Sequence, residues 1–380
     1  MNRKPLDLSL NKKRWITIIS LSVILLILAI SSIFIGSSGM SFVDGIKALF
    51  RNGDEVNQVI IYNVRLPRII AAILAGTALA LSGTIMQTMS NNIMASPSTL
   101  GVSNAAVLGA NIAIIILGGG TIVINGGNVN ITNPYFVSGF AFVFALLSTI
   151  LILFLGKFKK YNKATVVLIG ITLGTFFTGV TTLLQYFATD TALQTAVYWS
   201  FGDLGRASYE DNLIILVVTV VSLIYFLIFS YKYNAMLLGD DNASTLGINL
   251  KIFKFVSLLL ASLLTAVVVS LLGIIGFVGL LAPHIMRKLL GNNHKYLLIS
   301  SSLFGSCILL FSDMIARTIL SGISLPVGAV TSLIGAPIFV FILLFGRKEK
   351  WLKLKIFLSN IQKISQFCRV FHLILIKVTV

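Results

Sequence analysis

The chain has 380 residues, 57% of them apolar and only 11% charged, with a formal net charge of +17 and a mean hydropathy of +0.97. A soluble domain is about half apolar and about a quarter charged, so an ordinary soluble fold is excluded. The surplus falls in runs long enough to cross a hydrocarbon core about 30 Å thick, which takes roughly 20 residues of helix. Runs such as Ile16–Ile35 do not alternate in polarity, which argues against a β-barrel. The basic residues flank apolar runs and do not form a soluble basic face, so nucleic acid is not an expected partner. Cys307 and Cys368 lie far apart and form no metal or redox motif.

In chain order, Arg3, Lys4, Lys12, Lys13 and Arg14 precede an apolar run too long for a signal-peptide core, which reads as the first span. Ten apolar segments follow one another: 15–36, 66–88, 99–118, 135–155, 164–187, 212–230, 254–273, 276–291, 297–317 and 326–346. The expected fold is therefore all-α and polytopic, with about ten transmembrane helices in residues 1–346 and a basic cytosolic or membrane-surface tail over 347–380. With the N-terminus in the cytosol, the inside loops are 89–98, 157–163, 231–253 and 286–296 plus the tail, and they hold most of the lysines. The outside loops, 37–65, 119–134, 188–211 and 318–325, hold Asp44, Asp54, Glu55, Asp190, Asp203, Glu210 and Asp211. This asymmetry obeys the positive-inside rule with both termini in the cytosol. The stretch 119–134, polar and rich in Gly and Asn, reads as an outside loop.

Certain residues break this pattern. Arg65 and Arg68 lie at the outer end of the second span, and Arg317 at the outer end of the ninth, where positive charge is disfavoured. Two readings stand. Long side chains can snorkel to the interface, or the planar guanidinium forks can receive acidic side chains of an external partner. For Arg317 a third reading is a local pair with Asp313, four residues earlier. In the inside loop, Leu238-Gly239-Asp240-Asp241-Asn242-Ala243-Ser244-Thr245-Leu246-Gly247 reads as a short helix between glycine boundaries with acids in its first turn. It is either a plain connector or a helix that seats in a groove of a motor protein. Glycines at 76, 83, 273, 276, 279, 328 and 335 fit close helix packing in lipid.

No span interior carries a carboxylate pair, a Lys–Asp pair or a His relay of the kind that ion coupling uses. The chain has no phosphate loop, no metal-ligand cluster and no nucleophile–base signature, so no catalytic residue, cofactor or metal is expected. An ion-coupled secondary transporter and a membrane-embedded enzyme are the rival classes.

Several stretches together resemble the FecCD permease family of type II ABC importers: RLPRIIAAILAGTALALSGTIMQ at 65–87, ASPSTLGVSNAAVLGA at 95–110, LLGDDNASTLGINL at 237–250, GIIGFVGLLAPHIMRKLLGNNHKYLL at 273–298, DMIAR at 313–317 and LPVGAVTSLIGAPIFVFILL at 325–344. The resemblance implies ten helices per subunit in the bacterial cytoplasmic membrane and a second permease subunit, the same or related. It also implies two cytosolic ATP-binding cassette subunits and an external substrate-binding protein. Arg65, Arg68 and Arg317 would meet glutamates of that binding protein. Gly239, Asp240, Asp241, Ala243, Leu246 and Gly247 would couple to the ATPase, and Asn92 and Met94 would form the cytosolic gate. The implied substrate is an iron–siderophore complex, with haem and cobalamin as alternatives. The gate departs from the family's Asn-Pro-Leu-Ala, reading Asn92-Ile93-Met94-Ala95.

Overall fold

All ten apolar segments are helical, but they differ in length for physical reasons. The computed structural model describes residues 5–36, 40–119, 122–125, 128–131, 133–158, 163–320 and 324–345. Its helices are α1 (Pro5–Phe34), α2 (Phe42–Leu49), α3 (Glu55–Val59), α4 (Leu66–Ser90), α5 (Val102–Asn111), α6 (Pro134–Phe158), α7 (Lys163–Tyr186), α8 (Asp190–Ser200), α9 (Tyr209–Ile228), α10 (Ser230–Met236), α11 (Asp240–Thr245), α12 (Leu250–Leu272), α13 (Val278–Leu290), α14 (His294–Thr318) and α15 (Val327–Phe345). Seven are long and apolar enough to span a bilayer: those within Asn11–Phe34, Glu55–Ser90, Pro134–Lys157, Thr165–Tyr186, Tyr209–Ile228, Leu250–Leu272 and His294–Thr318. The segments Val102–Ile116 and Val327–Ile342 are shorter apolar helices. The eighth segment becomes α13, which carries Pro283 internally and Arg287 and Lys288 in its last turn.

The break between α12 and α13 shows how irregular backbone survives between two spans. Gly273 (φ +78°) and Phe277 (φ +63°) both take left-handed conformations. The polar groups around them pair across the chain: Asp203 N–H donates to Leu272 O at 2.9 Å, Ile274 N–H to Ser200 O at 3.3 Å and Gly328 N–H to Gly202 O at 3.2 Å. Satisfying the backbone within the protein is the condition for leaving helical geometry in a membrane protein.

At the centre stands α4. Its span is 78% buried by this chain alone, against 17% for α1 and 28% for α7. Glycines let α14 and α13 approach it. A Cβ on Gly76 would lie 2.6 Å from Gly305 O, and one on Gly83 would collide with Gly279 O. Hydroxyls add interhelical bonds: Ser82 Oγ donates to Ala261 O at 2.6 Å and Ser306 Oγ to Ile73 O at 2.7 Å. Between lipid-facing helices there is no hydrophobic drive, so small residues and such bonds hold the bundle together. Outside this centre, Leu21 of α1 packs with Met286, Leu290 and Leu297, and Ala105, Leu108 and Phe177 join α5 to α7.

The stretch 119–134 departs from the loop expected of it. Ile122–Asn125 (β1) and Asn128–Ile131 (β2) pair antiparallel, with Ile122 opposite Ile131 and Asn125 opposite Asn128. The Gly126-Gly127 dipeptide between two Ile/Val-containing runs is a hairpin signal, masked in the sequence by its polar composition. By contacts the chain divides into two units, Met1–Leu333 and Ile334–Val380. The described part of the second is the remainder of α15, with Pro337 inside it. The tail 347–380 lies outside the described residues.

Candidate functional site

Two polar clusters mark opposite ends of α4. At its start, α3 runs through a wide π-helical turn, Ile60–Arg65, into α4. Pro67 is accommodated in the first turn, where a missing N–H costs no helical bond. Arg65 and Arg68 are buried, with 3% and 6% of their surface exposed. Arg65 Nη1 donates to Ile33 O at the end of α1. Arg68 Nε donates to Asp313 Oδ1 at 2.6 Å, and its Nη2 donates to Ser324 Oγ at 2.9 Å and lies 3.6 Å from Asp203 Oδ1.

Arg317 completes the cluster from α14. Its Nε is 3.0 Å from Asp313 Oδ2, and its Nη2 donates to Ser32 Oγ at 2.5 Å. Asp313 therefore bridges two guanidiniums, one per carboxylate oxygen, with no exposed surface of its own. The local pair expected for Arg317 is present. Neither Arg68 nor Arg317 points a free fork outward: both side chains are under a tenth exposed and face inward. Nearby, Arg206 caps α8 by donating to Trp199 O at 2.9 Å and to Tyr198 O at 2.5 Å. Burial pulls its pKa below the ordinary value, and the neighbouring Asp203 carboxylate opposes that shift. Gly205 lies close beside the cluster: a Cβ there would lie 2.8 Å from Arg68 Nη1, so the guanidinium would have to shift. The sequence points to neither Ser32 nor Ser324, and to Asp203 only as an outside-loop acid, because their link to the arginines is purely tertiary.

The opposite end carries the short loop helix and the α4–α5 loop. Gly239 (φ +105°) and Gly247 (φ +77°) bracket α11 in backbone conformations that favour glycine. Asp240 Oδ2 accepts from Lys254 Nζ of α12 at 2.7 Å, fixing the start of α11. Ala243 is buried, whereas Asp241 is exposed and Leu246 is 66% exposed. The helix thus seats one small residue inward and offers a mixed acidic and apolar face outward. In the α4–α5 loop, Asn91 takes a left-handed conformation (φ +45°) that ends α4. Asn92 Oδ1 then accepts from Met94 N–H at 2.9 Å, closing a tight turn that leaves Ile93 and Met94 half exposed. This turn forms without the proline that the family pattern carries.

Beside that loop, Ser98, Thr99, Asn104, Thr175 and Thr178 line an open cavity of about 290 Å³ between the start of α5 and α7. Its lining has hydroxyls, an amide, glycines and Ile171 but no charge. Asn104 Nδ2 bridges the helices, donating to Gly174 O at 3.1 Å and Thr178 Oγ1 at 3.0 Å. Among the described residues no group of three or more His, Cys, Asp or Glu could hold a metal ion.

The chain is similar to several known proteins. A Methanocaldococcus jannaschii protein assigned as an ABC transporter permease is 42% identical over 333 residues, covering 88% of this chain and 95% of that one. The hemin transport system permease protein of Yersinia pestis is 32% identical, covering 87% and 96%. Further relatives are the vitamin B12 import permease of Vibrio parahaemolyticus, 31% identical, and an Fe(3+)-citrate import permease of Bacillus subtilis, 34% identical. A solved structure in an inward-facing conformation, assigned to the metal-chelate type of ABC transporter, superposes with a TM-score of 0.74 at 30% identity. That superposition covers 87% of this chain and 99% of the other. The sequence pattern of the FecCD transport family matches residues 24–345. On this match and these relatives, the chain belongs to the FecCD transport family, the multi-pass permease subunits of ABC importers.

Proposed function

We propose that this permease translocates an iron–siderophore complex across the cytoplasmic membrane, with the α11 end in the cytosol. Relatives named for hemin, vitamin B12 and Fe(3+)-citrate import favour a bulky metal chelate as the substrate class. The single observation that carries the reading in this chain is the uncharged, hydroxyl-lined cavity at α5 and α7. Such a wall offers a chelate weak hydrogen bonds and no ion pair, which suits release over retention. A rival ion-coupled mechanism would need a titrating carboxylate at membrane depth. The buried Asp313 is engaged by two arginines, which favours a structural role over ion coupling.

In this reading a loaded binding protein docks at the end carrying Arg65, Arg68 and Arg317. Because Asp313 already engages two of the guanidiniums, a partner's carboxylates meet them only in competition with Asp313 and Asp203. Two ATPase subunits act on α11 and its counterpart in a second permease subunit, the same or related, and the turn at Asn92–Met94 forms the cytosolic gate. The chain itself performs no covalent chemistry.

The test is uptake of a labelled panel of ferric siderophores, haem and cobalamin in cells holding the ATPase and binding protein. The unaltered chain is expected to import a siderophore. Reversing the binding protein's docking glutamates to lysine is expected to abolish that import with the permease at normal membrane levels, whereas Arg65→Glu/Arg68→Glu would also break the Asp313 cluster. Unchanged uptake would remove the docking assignment, and import of haem or cobalamin alone would replace the substrate.

A further inference from the structure

Near the α11 end, four helices meet at a buried polar cluster that neither packing nor the substrate path calls for. His294, the first residue of α14, is fully buried, and Thr88, in the last turn of α4, is 5% exposed. Asn234 of α10 turns its Oδ1 toward α14, where it accepts from the His294 backbone N–H at 2.8 Å and lies 2.8 Å from His294 Nδ1. His294 Nε2 is 2.8 Å from Thr88 Oγ1. Arg287 of α13 closes the set, its Nη2 donating to Thr88 Oγ1 at 2.7 Å and to Thr84 O at 3.2 Å.

With a neutral ring, Nδ1–H donates to the Asn234 carbonyl. The Thr88 hydroxyl accepts from Arg287 and shares its single proton between His294 Nε2 and Thr84 O, each 2.8 Å away. Asn234 then has both its contacts as an acceptor, which fixes the orientation of its amide. A buried network in which each member depends on the next has few alternative arrangements, so displacing one member displaces the others.

The ends of this chain of bonds are placed with equal regularity. Asn234 lies five residues before Gly239, and α10 is a short rod with a break at each end: Phe229 leaves helical geometry before it, and Gly239 (φ +105°) follows it. Beside Asn234, Tyr233 is anchored by an Oη–Ser257 Oγ contact of 2.8 Å and by packing on the His294 ring at 5.6 Å. At the other end, Thr88 O accepts from Asn91 N–H at 3.2 Å, and Asn92 N–H donates to Gln87 O at 3.1 Å. The turn at Asn92–Met94 is therefore hung directly on the helical turn that holds Thr88.

We propose that Asn234, His294 and Thr88 are positioning residues that carry movement of the α10–α11 segment to the α4–α5 turn, with Arg287 holding Thr88 in register. The proposal rests on the reading of α11 as the ATPase-facing helix and of Asn92–Met94 as the gate. Side chains along a packed path modulate coupling between sites without touching either ligand.

The experiment uses the whole transporter, with ATPase and binding protein, in inside-out vesicles. Met94→Cys in a Cys307→Ser/Cys368→Ser background is labelled by a membrane-impermeant maleimide with and without ATP. The labelling rate is expected to change with ATP in that background and to lose its ATP dependence on adding Thr88→Val or Asn234→Ala. In the chain without the cysteine changes, each of these two variants is expected to lower transport per ATP hydrolysed about ten-fold, within the range seen for coupling networks. Thr88→Ser, which keeps the hydroxyl, is expected to restore both readouts. The Thr88→Val/Asn234→Ala pair is expected to be no worse than either single variant, because the residues act as one unit. ATP-dependent labelling that persists in both single variants would overturn the proposal. Loss of ATPase co-purification in Thr88→Val would overturn it too, making the cluster a packing element. The reading beneath it is tested separately by Leu246→Glu: an ATPase that still co-purifies refutes docking on α11 while the Thr88 and Asn234 results still decide the relay.

Discussion

Asp313 gathers two cations from helices whose sequences are far apart. Its carboxylate holds Arg68 and Arg317 with no exposure to solvent. Removing one member of a buried ion cluster leaves the others without compensation and costs about 3–5 kcal/mol. Asp313→Asn, nearly the same shape, is therefore expected to lower the thermal unfolding midpoint in detergent sharply and to reduce membrane levels. Asp203→Asn is the control. Its side chain is 33% exposed and sits 3.6 Å from Arg68, so its loss is expected to cost no more than about 1 kcal/mol. Equal stabilities for the two variants would refute the bridging role. The Asp313–Arg317 half of this cluster was legible in the sequence, because a spacing of four places both on one helix face. The Arg68 half was not, since nothing local links residues 245 positions apart.

At the scale of elements, glycine decides where helices touch. Gly83 faces Gly279 O and Gly76 faces Gly305 O with no room for a methyl group, whereas a Cβ on Gly139 of α6 would meet nothing within 4 Å. Gly83→Ala is expected to force α4 and α13 apart, at a cost of about 1–3 kcal/mol or more. Gly139→Ala is expected to be neutral or to stabilise by up to about 1 kcal/mol through the unfolded state. Thermal unfolding of the two purified variants checks both, and a tolerated Gly83→Ala would contradict the close contact. The sequence marked Gly76, Gly83 and Gly279 as packing residues from their place in apolar runs. It could not pair them, because a glycine carries no sign of its partner. The hairpin at Ile122–Ile131 was missed for a different reason: composition outweighed the brief alternation on either side of Gly126-Gly127. The boundaries of α11, by contrast, were plain, since Gly239 and Gly247 adopt the positive φ that their residue type favours.

For the molecule as a whole, the two clusters lie at opposite ends of α4 and define two faces. Thr191 in α8 and Ser244 in α11 are both exposed. Single cysteines at 191 and 244, in a Cys307→Ser/Cys368→Ser background, are expected to react with an impermeant reagent from opposite sides of the membrane. Position 244 would be reached from the cytosol. Labelling of both from one side would overturn the orientation read from the lysine asymmetry. That asymmetry and the ten helical runs were visible in the sequence because lipid imposes length and charge rules on each segment separately. The polar clusters were not, because they depend on which segments become neighbours.

The Arg68–Asp313 pair also sets a timetable for biogenesis. Ribosomes add about 5–20 residues per second, and 245 residues separate the two partners, so α4 leaves the ribosome about 10–50 s before its main counter-ion exists. Ser82 waits similarly for Ala261, 179 residues downstream. At the start of that interval the span that ends as the most enclosed among the described residues has neither its Asp313 ion pair nor the Ala261 partner of Ser82. Arg68 lacks its main counter-ion until α14 arrives, and α15 is still to come when that salt bridge can first close.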